Sequence, residues 1–309
     1  VPGKSAGHIN SNPVSPGTVS VGAGLPAMRR VSGALRPTAA QARTYTIYTA
    51  PHTNVTLDDQ MNSFDDLLAE ASAADVTGWG FDWLTGRASE QRPPWGYAQL
   101  LAQRLDGVRA ALDLDTGGGE VLSEAPRFPP LMCATEAWPP NARKAQEHLG
   151  SRGVEVIEVA PGTALPFADA SFELVTSRHP VNPDWHEIHR VLRPGGHYFA
   201  QHVGPASAFE LIEHFLGPLP RERQMRDPRD EVVAAQAAGL TVTDLRTARC
   251  RMLFHDVGAV VWILRKCVWW VPDFSVDKYR AELLVLDNQM RQGEPFVAHS
   301  TRHLIEARR

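Results

Sequence analysis

Short apolar runs separated by amphipathic stretches recur from residue 109 onward, and their rhythm sets the expected architecture. Strands are predicted at 109–114, 131–135, 154–159, 172–177 and 195–203, with helices near 119–125, 139–151 and 183–192 and another after Ala206. Alternation at this spacing predicts βαβ units in a mostly parallel sheet, whose right-handed crossovers bring the strand C-terminal ends to one edge. A second half is predicted to add a helix near 228–238, a strand near 240–252, helices near 256–269 and 275–291 and a final strand near 296–307. The most hydrophobic segment, Val257 to Val271, is interrupted by Arg265-Lys266. It falls short of the about 20 apolar residues that span a bilayer, so it reads as a buried helix.

Upstream of the sheet, Phe64, Leu67, Leu68 and Ala71 recur at helical spacing behind Ser63, a candidate N-cap. An aromatic connector containing Trp83 follows, then Arg92-Pro-Pro-Trp-Gly-Tyr97 and a helix ending near Leu105. Residues 58–108 are therefore expected to form an N-terminal helical lid over a domain at 109–309. Residues 1–57 are rich in Gly, Pro, Ser, Ala and Thr, show no sustained period and are expected to be a disordered leader. They contain no acidic residue, as transit peptides do, yet no amphipathic stripe runs through them. Met61-Asn-Ser-Phe-Asp-Asp-Leu-Leu reads like a natural protein start, which favours a vector remnant or an over-extended reading frame.

Composition narrows the function. The chain has 309 residues, 43% hydrophobic and 21% charged, which is ordinary for a globular domain with an appendage. With the five basic residues of 1–57 set aside, the rest carries 35 acidic against 26 basic residues. Such a body argues against a broad nucleic-acid surface. Cys133, Cys250 and Cys267 form no Cys-x-x-Cys pair, and Cys133 and Cys267, set in apolar runs, read as buried thiols of a reducing, cytoplasmic compartment. No zinc-ligand spacing is visible and no metal is expected.

The chemistry concentrates at Ala110-Ala-Leu-Asp-Leu-Asp-Thr-Gly-Gly-Gly-Glu120, where β-favouring residues run into an acid and a glycine cluster. A strand, a tight turn and a helix start form the place where an open α/β sheet binds a nucleotide-like ligand. No Walker lysine follows, which excludes a P-loop, and no clean G-x-G-x-x-G opens the helix. Three further segments follow in order: Ala134-Thr-Glu136, Leu165-Pro-Phe-Ala-Asp-Ala-Ser-Phe-Glu-Leu-Val175 and Val191-Leu-Arg-Pro-Gly-Gly-His197. In these four segments the chain resembles the class I S-adenosylmethionine-dependent methyltransferases. Ser177-Arg-His-Pro180 and Gln201-His-Val-Gly204 resemble an actinobacterial-type branch of them.

The resemblance implies an α/β, Rossmann-like, mostly parallel seven-stranded sheet with helices on both faces and S-adenosylmethionine as cofactor. It implies that Asp113 organises the turn, that Gly117 and Gly119 let the cofactor approach the backbone, and that Glu136 accepts both ribose hydroxyls. Trp138 is placed to cover one adenine face. Two departures stand out: Asp115 occupies the family's first glycine, and no acid precedes the Leu165-Pro-Phe segment. Backbone groups around Gly162 and Thr163 are expected to meet the adenine edge instead, with Ser177 at the end of the fourth strand. The reaction implied is in-line methyl transfer to a small organic acceptor, with an RNA or protein acceptor, or a non-catalytic binding protein, as alternatives. His179 is the candidate base, against a scaffold role. Trp83, Trp95, Tyr97 and Gln201 are candidates to line the acceptor pocket, and alternation sends only one of Gln201 and His202 into it. No membrane partner is expected.

Overall fold

The computed structural model describes residues 62–77 and 80–309, so the leader expected at 1–57 lies outside the described residues. Ser63 caps α1 (Phe64–Ala73): its hydroxyl accepts from the Asp66 amide at 3.1 Å while the Asp66 carboxylate accepts from the Ser63 amide. β1 (Ala88–Glu90) and α2 (Tyr97–Asp106) follow. The alternating core runs β2 (Ala110–Leu114), α3 (Glu120–Ser123), β3 (Leu131–Glu136), α4 (Pro139–Leu149), β4 (Val154–Glu158), β5 (Phe172–Arg178), α5 (Trp185–Val191) and β6 (Leu192–Val203). The remaining elements are α6 (Phe209–Leu216), α7 (Pro228–Ala237), β7 (Thr241–Phe254), α8 (Val257–Lys266), α9 (Arg280–Arg291) and β8 (Phe296–Arg308).

The strands form one sheet in the order β1-β7-β8-β6-β5-β2-β3-β4. β2 through β6 pair in parallel, whereas β8 is antiparallel to both β6 and β7, and β1 to β7. The chain lays β3 and β4 on one side of β2 and then returns to place β5 on the other. Loops leaving the C-terminal ends of β2 and β5 diverge there, which opens a crevice at the switch point. Among the described residues the sheet has eight strands where seven were expected. The extra one, β1, has three residues with no apolar period; its place follows from the open edge of β7, where Ala88 faces Phe254 and Glu90 faces Met252.

Helices cover both faces of the sheet. Side-chain alternation sends Ala111 toward α2, α3 and α4, where Leu101, Leu105, Leu122 and Leu149 are buried, and Leu112 toward α5 and α7. A third cluster joins α1, α6, α8 and α9 to the β7–β8 ribbon, and α8 is buried along almost all its length, as its apolar run requires. Among the described residues no helix is long and apolar enough to cross a membrane.

The described segments of the region expected to form a lid pack in three different places. α1 packs on α8, where Trp262 Nε1 donates to the Asp75 carbonyl at 3.0 Å; β1 widens the sheet; α2 packs on the sheet face. The turn before α2 carries Trp95 to the end of β6, where its indole reaches Gln201.

Candidate functional site

Three positive φ angles shape the turn after β2: Asp115 at 53°, Gly117 at 64° and Gly119 at 78°. Left-handed backbone costs a residue with a Cβ roughly 1–2 kcal/mol, and Asp is among the side chains that tolerate it best. Asp115 therefore holds the backbone shape of a glycine position. The turn is anchored from below, because the Thr116 amide donates to the Thr135 carbonyl at 2.9 Å and His148 Nδ1 donates to the Gly118 carbonyl at 2.7 Å. Lys144 pairs with Glu120 at 2.7 Å. His148 and Lys144 carried no motif and went unnoticed in the sequence; their i, i+4 spacing on α4 was the available signal.

Gly119 has a different task from the one expected. A Cβ there would lie 2.7 Å from Leu149 Cδ1 and 3.4 Å from Ala145 Cα, so its bareness lets α4 pack against the turn. Of the two glycines expected beneath the cofactor, Gly117 sits at the acidic end of β3. Its amide donates to Glu136 Oε2 at 2.8 Å, while Glu136 Oε1 accepts from the amides of Ala137 and Trp138 at 3.1 and 2.9 Å. A carboxylate offers about four acceptor positions, and three are filled by backbone. One remains for a ligand hydroxyl, so taking both ribose hydroxyls requires releasing an amide. Trp138 begins α4 with its ring 52% exposed beside this carboxylate.

Asp113 lies beneath the turn on the α2 face and is buried, with Thr176 donating to its carboxylate at 2.5 Å. Burial pushes this carboxyl up to about 6, against the lowering effect of the Thr176 and Thr116 hydroxyls. Burial and then the neighbouring Glu136 charge push Asp115 up as well. Three acids thus converge on one glycine turn without a basic side chain bonded to any of them in the described residues.

At the ends of β5 and β6 a hydrogen-bond chain fixes the state of His179. Trp95 Nε1 only donates, and it donates to Gln201 Oε1 at 2.8 Å. The Gln201 amide nitrogen is thereby turned toward His179 Nε2, 2.9 Å away, and donates to it. The proton of the neutral ring is left on Nδ1. Burial and then the charges of Arg178 and Arg302 hold the imidazole well below its usual range, so the ring is neutral. Its backbone is left-handed at φ 61°, held by its amide donating to the Gln201 carbonyl at 2.7 Å. Alternation separates the β6 pair as predicted: Gln201 joins His179 and Trp95, and His202 faces Glu231 of α7 at 2.5 Å.

Other expected site residues are used elsewhere. Trp83 stacks on Trp262 with ring centroids 5.8 Å apart, in the α1–α8 cluster. Tyr97 is buried against Phe199 and donates its hydroxyl to the Ser177 carbonyl at 3.0 Å. The Ser177 hydroxyl donates to the Leu114 carbonyl at 3.0 Å, bracing β5 to β2. Gly162 and Thr163 lie on an exposed turn after β4, where Thr163 spends both its amide and its hydroxyl on the Ala160 carbonyl.

Residues 112–200 match a protein family described as a methyltransferase domain. Among solved structures, the YcgJ protein from Bacillus subtilis is 17% identical with a TM-score of 0.50, over 69% of this chain and 97% of that one. The BH2331 protein from Bacillus halodurans C-125 is 18% identical with a TM-score of 0.49, over 68% and 97%. A Haemonchus contortus phosphoethanolamine N-methyltransferase, in complex with phosphomonomethylethanolamine and S-adenosylhomocysteine, is 15% identical with a TM-score of 0.44, over 80% and 60%. These likenesses concern the fold. No curated protein matches the sequence.

Proposed function

Because residues 112–200 match a methyltransferase-domain family, we propose that this chain transfers a methyl group from S-adenosylmethionine to a small organic acceptor. The observation that carries the reading is the Glu136 cradle at the switch point of the sheet. Glu136 keeps one acceptor position for a ribose hydroxyl, Gly117 leaves the turn bare, and the exposed Trp138 ring offers a flat apolar face for the adenine. The convergent charges of Asp113, Asp115 and Glu136 suit a ligand that brings positive charge, as the ammonium and sulfonium of this cofactor do. When bound, the cofactor supplies an electrophilic methyl carbon. The chain's own contribution is alignment, which alone supplies a large part of such a rate enhancement.

His179, Gln201 and Trp95 form the acceptor side of the crevice. His179 Nε2 is filled by the Gln201 amide, so its lone pair is not on offer as a base, and the neutral ring presents an Nδ1 proton. We assign it to positioning the acceptor rather than to removing its proton. The charge balance outside residues 1–57 is acidic, which favours a small acceptor over RNA. Three free, buried cysteines fit a cytoplasmic setting.

The test is transfer from methyl-labelled S-adenosylmethionine to a panel of small hydroxyl, amine and carboxylate acceptors, with total RNA and protein as parallel arms. Label in a small molecule is expected. Label only in RNA or protein overturns the acceptor class, and binding without transfer to anything makes the chain a non-catalytic binder.

A further inference from the structure

On the sheet face opposite Gln201, three side chains from three separate elements converge. His202 comes from β6, His303 from β8 and Glu231 from α7. His202 Nδ1 lies 2.5 Å and His303 Nε2 2.9 Å from the same oxygen, Glu231 Oε2, and all three donor atoms lie within 4.8 Å of one another. His202 and His303 are paired directly across β6 and β8 and are almost wholly buried, whereas Glu231 is half-buried. From this arrangement we infer that His202, Glu231 and His303 form a binding site for one divalent transition-metal ion of the zinc type.

The donor set selects the ion. Two imidazoles and one carboxylate match zinc and its neighbours, whereas calcium and magnesium take oxygen ligands. Three protein ligands are the number that leaves a further coordination position open. The outer shell is partly built as well. Tyr198 OH lies 3.0 Å from His202 Nε2, and a phenol can accept from that nitrogen once Nδ1 gives its lone pair to a metal. Trp185 and Tyr198 pack against the His202 ring and keep its surroundings apolar.

The hydrogen bonds within the cluster leave one of its polar atoms unsatisfied. Two buried imidazoles crowd a single carboxylate oxygen, and His303 Nδ1 is buried with no hydrogen-bond partner. A buried polar atom left without a partner is costly, and a bound ion is one of the explanations such an atom calls for. A cavity of about 300 Å³, lined by Gly204, Pro228, Thr247, Thr301 and His303 among others, lies beside the cluster. The motif escaped the sequence because its ligands are 29 and 72 residues apart, with no short spacing to betray them.

The site is independent of the methyl-transfer reading, and so is its test. The full chain, stripped with a chelator, is titrated with zinc alone against a chromophoric competitor. One equivalent is expected, with affinity falling more than about 100-fold in Glu231→Gln and His303→Gln, a larger loss than changing a partner that only hydrogen-bonds to a ligand causes. Glu210→Gln, which alters the separate Glu210–His299 pair, should bind zinc as the wild type does. X-ray absorption of zinc-loaded wild type keeps the test decisive if a variant fails to fold. It should show two imidazoles and oxygen ligands at about 2.0–2.2 Å. Absence of stoichiometric binding, zinc affinity unchanged in both folded variants, or a metal shell lacking paired imidazoles would overturn the assignment.

Discussion

Asp113 and Asp115 carry opposite costs within one turn. Folding raises the Asp113 carboxyl from its ordinary 3.8 to about 6, so a proton there favours the folded state. The associated stability is complete below about 3.8 and is lost as pH rises through about 6. The shift corresponds to roughly 3 kcal/mol at neutral pH. Asp113→Asn keeps an acceptor for Thr176, and its new amide meets the Thr116 hydroxyl that already lies against this carboxyl. The variant should melt at a higher temperature than wild type near pH 8, with the gain vanishing near pH 4. A variant no more stable at the higher pH would show that Asp113 is better solvated than its burial indicates. At Asp115 the cost is conformational: Asp115→Gly should stabilise by roughly 1 kcal/mol and Asp115→Ala destabilise by a similar amount, read by denaturant titration. Equal effects of the two would mean that charge, not backbone, dominates. Because His179 is held neutral well below its usual range, kcat should stay flat as pH falls from about 8 to about 6. An acidic limb near 6.5 that disappears in His179→Asn would restore the base.

Elements with a clear period were legible from the chain, and those defined by a neighbour were not. The strands from β2 to β6 and the buried α8 follow from apolar runs and turn residues, and their ends fall within a few residues of expectation. β1 did not, since a three-residue polar edge strand is specified by the ladder of β7. Trp83 and Tyr97 were expected at the acceptor pocket because aromatic residues cluster before the sheet, yet each is consumed by packing. The glycine turn and the acid ending β3 were readable, and Trp95, Gln201 and His179 were each named, whereas the hydrogen-bond chain that joins them spans more than one hundred residues and leaves no local mark. Trp83→Ala therefore belongs to stability. It should cost about 2–4 kcal/mol by losing its stack on Trp262, and it should leave cofactor affinity unchanged. Weaker acceptor binding with unchanged stability would return Trp83 to the pocket.

For the whole molecule, one sheet carries two separate clusters of polar side chains. The diverging loops at β2 and β5 expose an acidic glycine turn, and the antiparallel β6–β8 pairing brings His202 opposite His303 beneath α7. Glu136 joins the turn to the next strand, so Glu136→Ala should lower cofactor affinity at least about tenfold by calorimetry, and an unchanged affinity would remove it from the cradle. The central claim is that this crevice binds S-adenosylmethionine. Calorimetry of the full chain with S-adenosylmethionine, and with its demethylated product, tests it most directly. Saturable binding of at least one at micromolar affinity, about −8 kcal/mol, is predicted. A folded sample that binds neither at millimolar concentration would contradict the account.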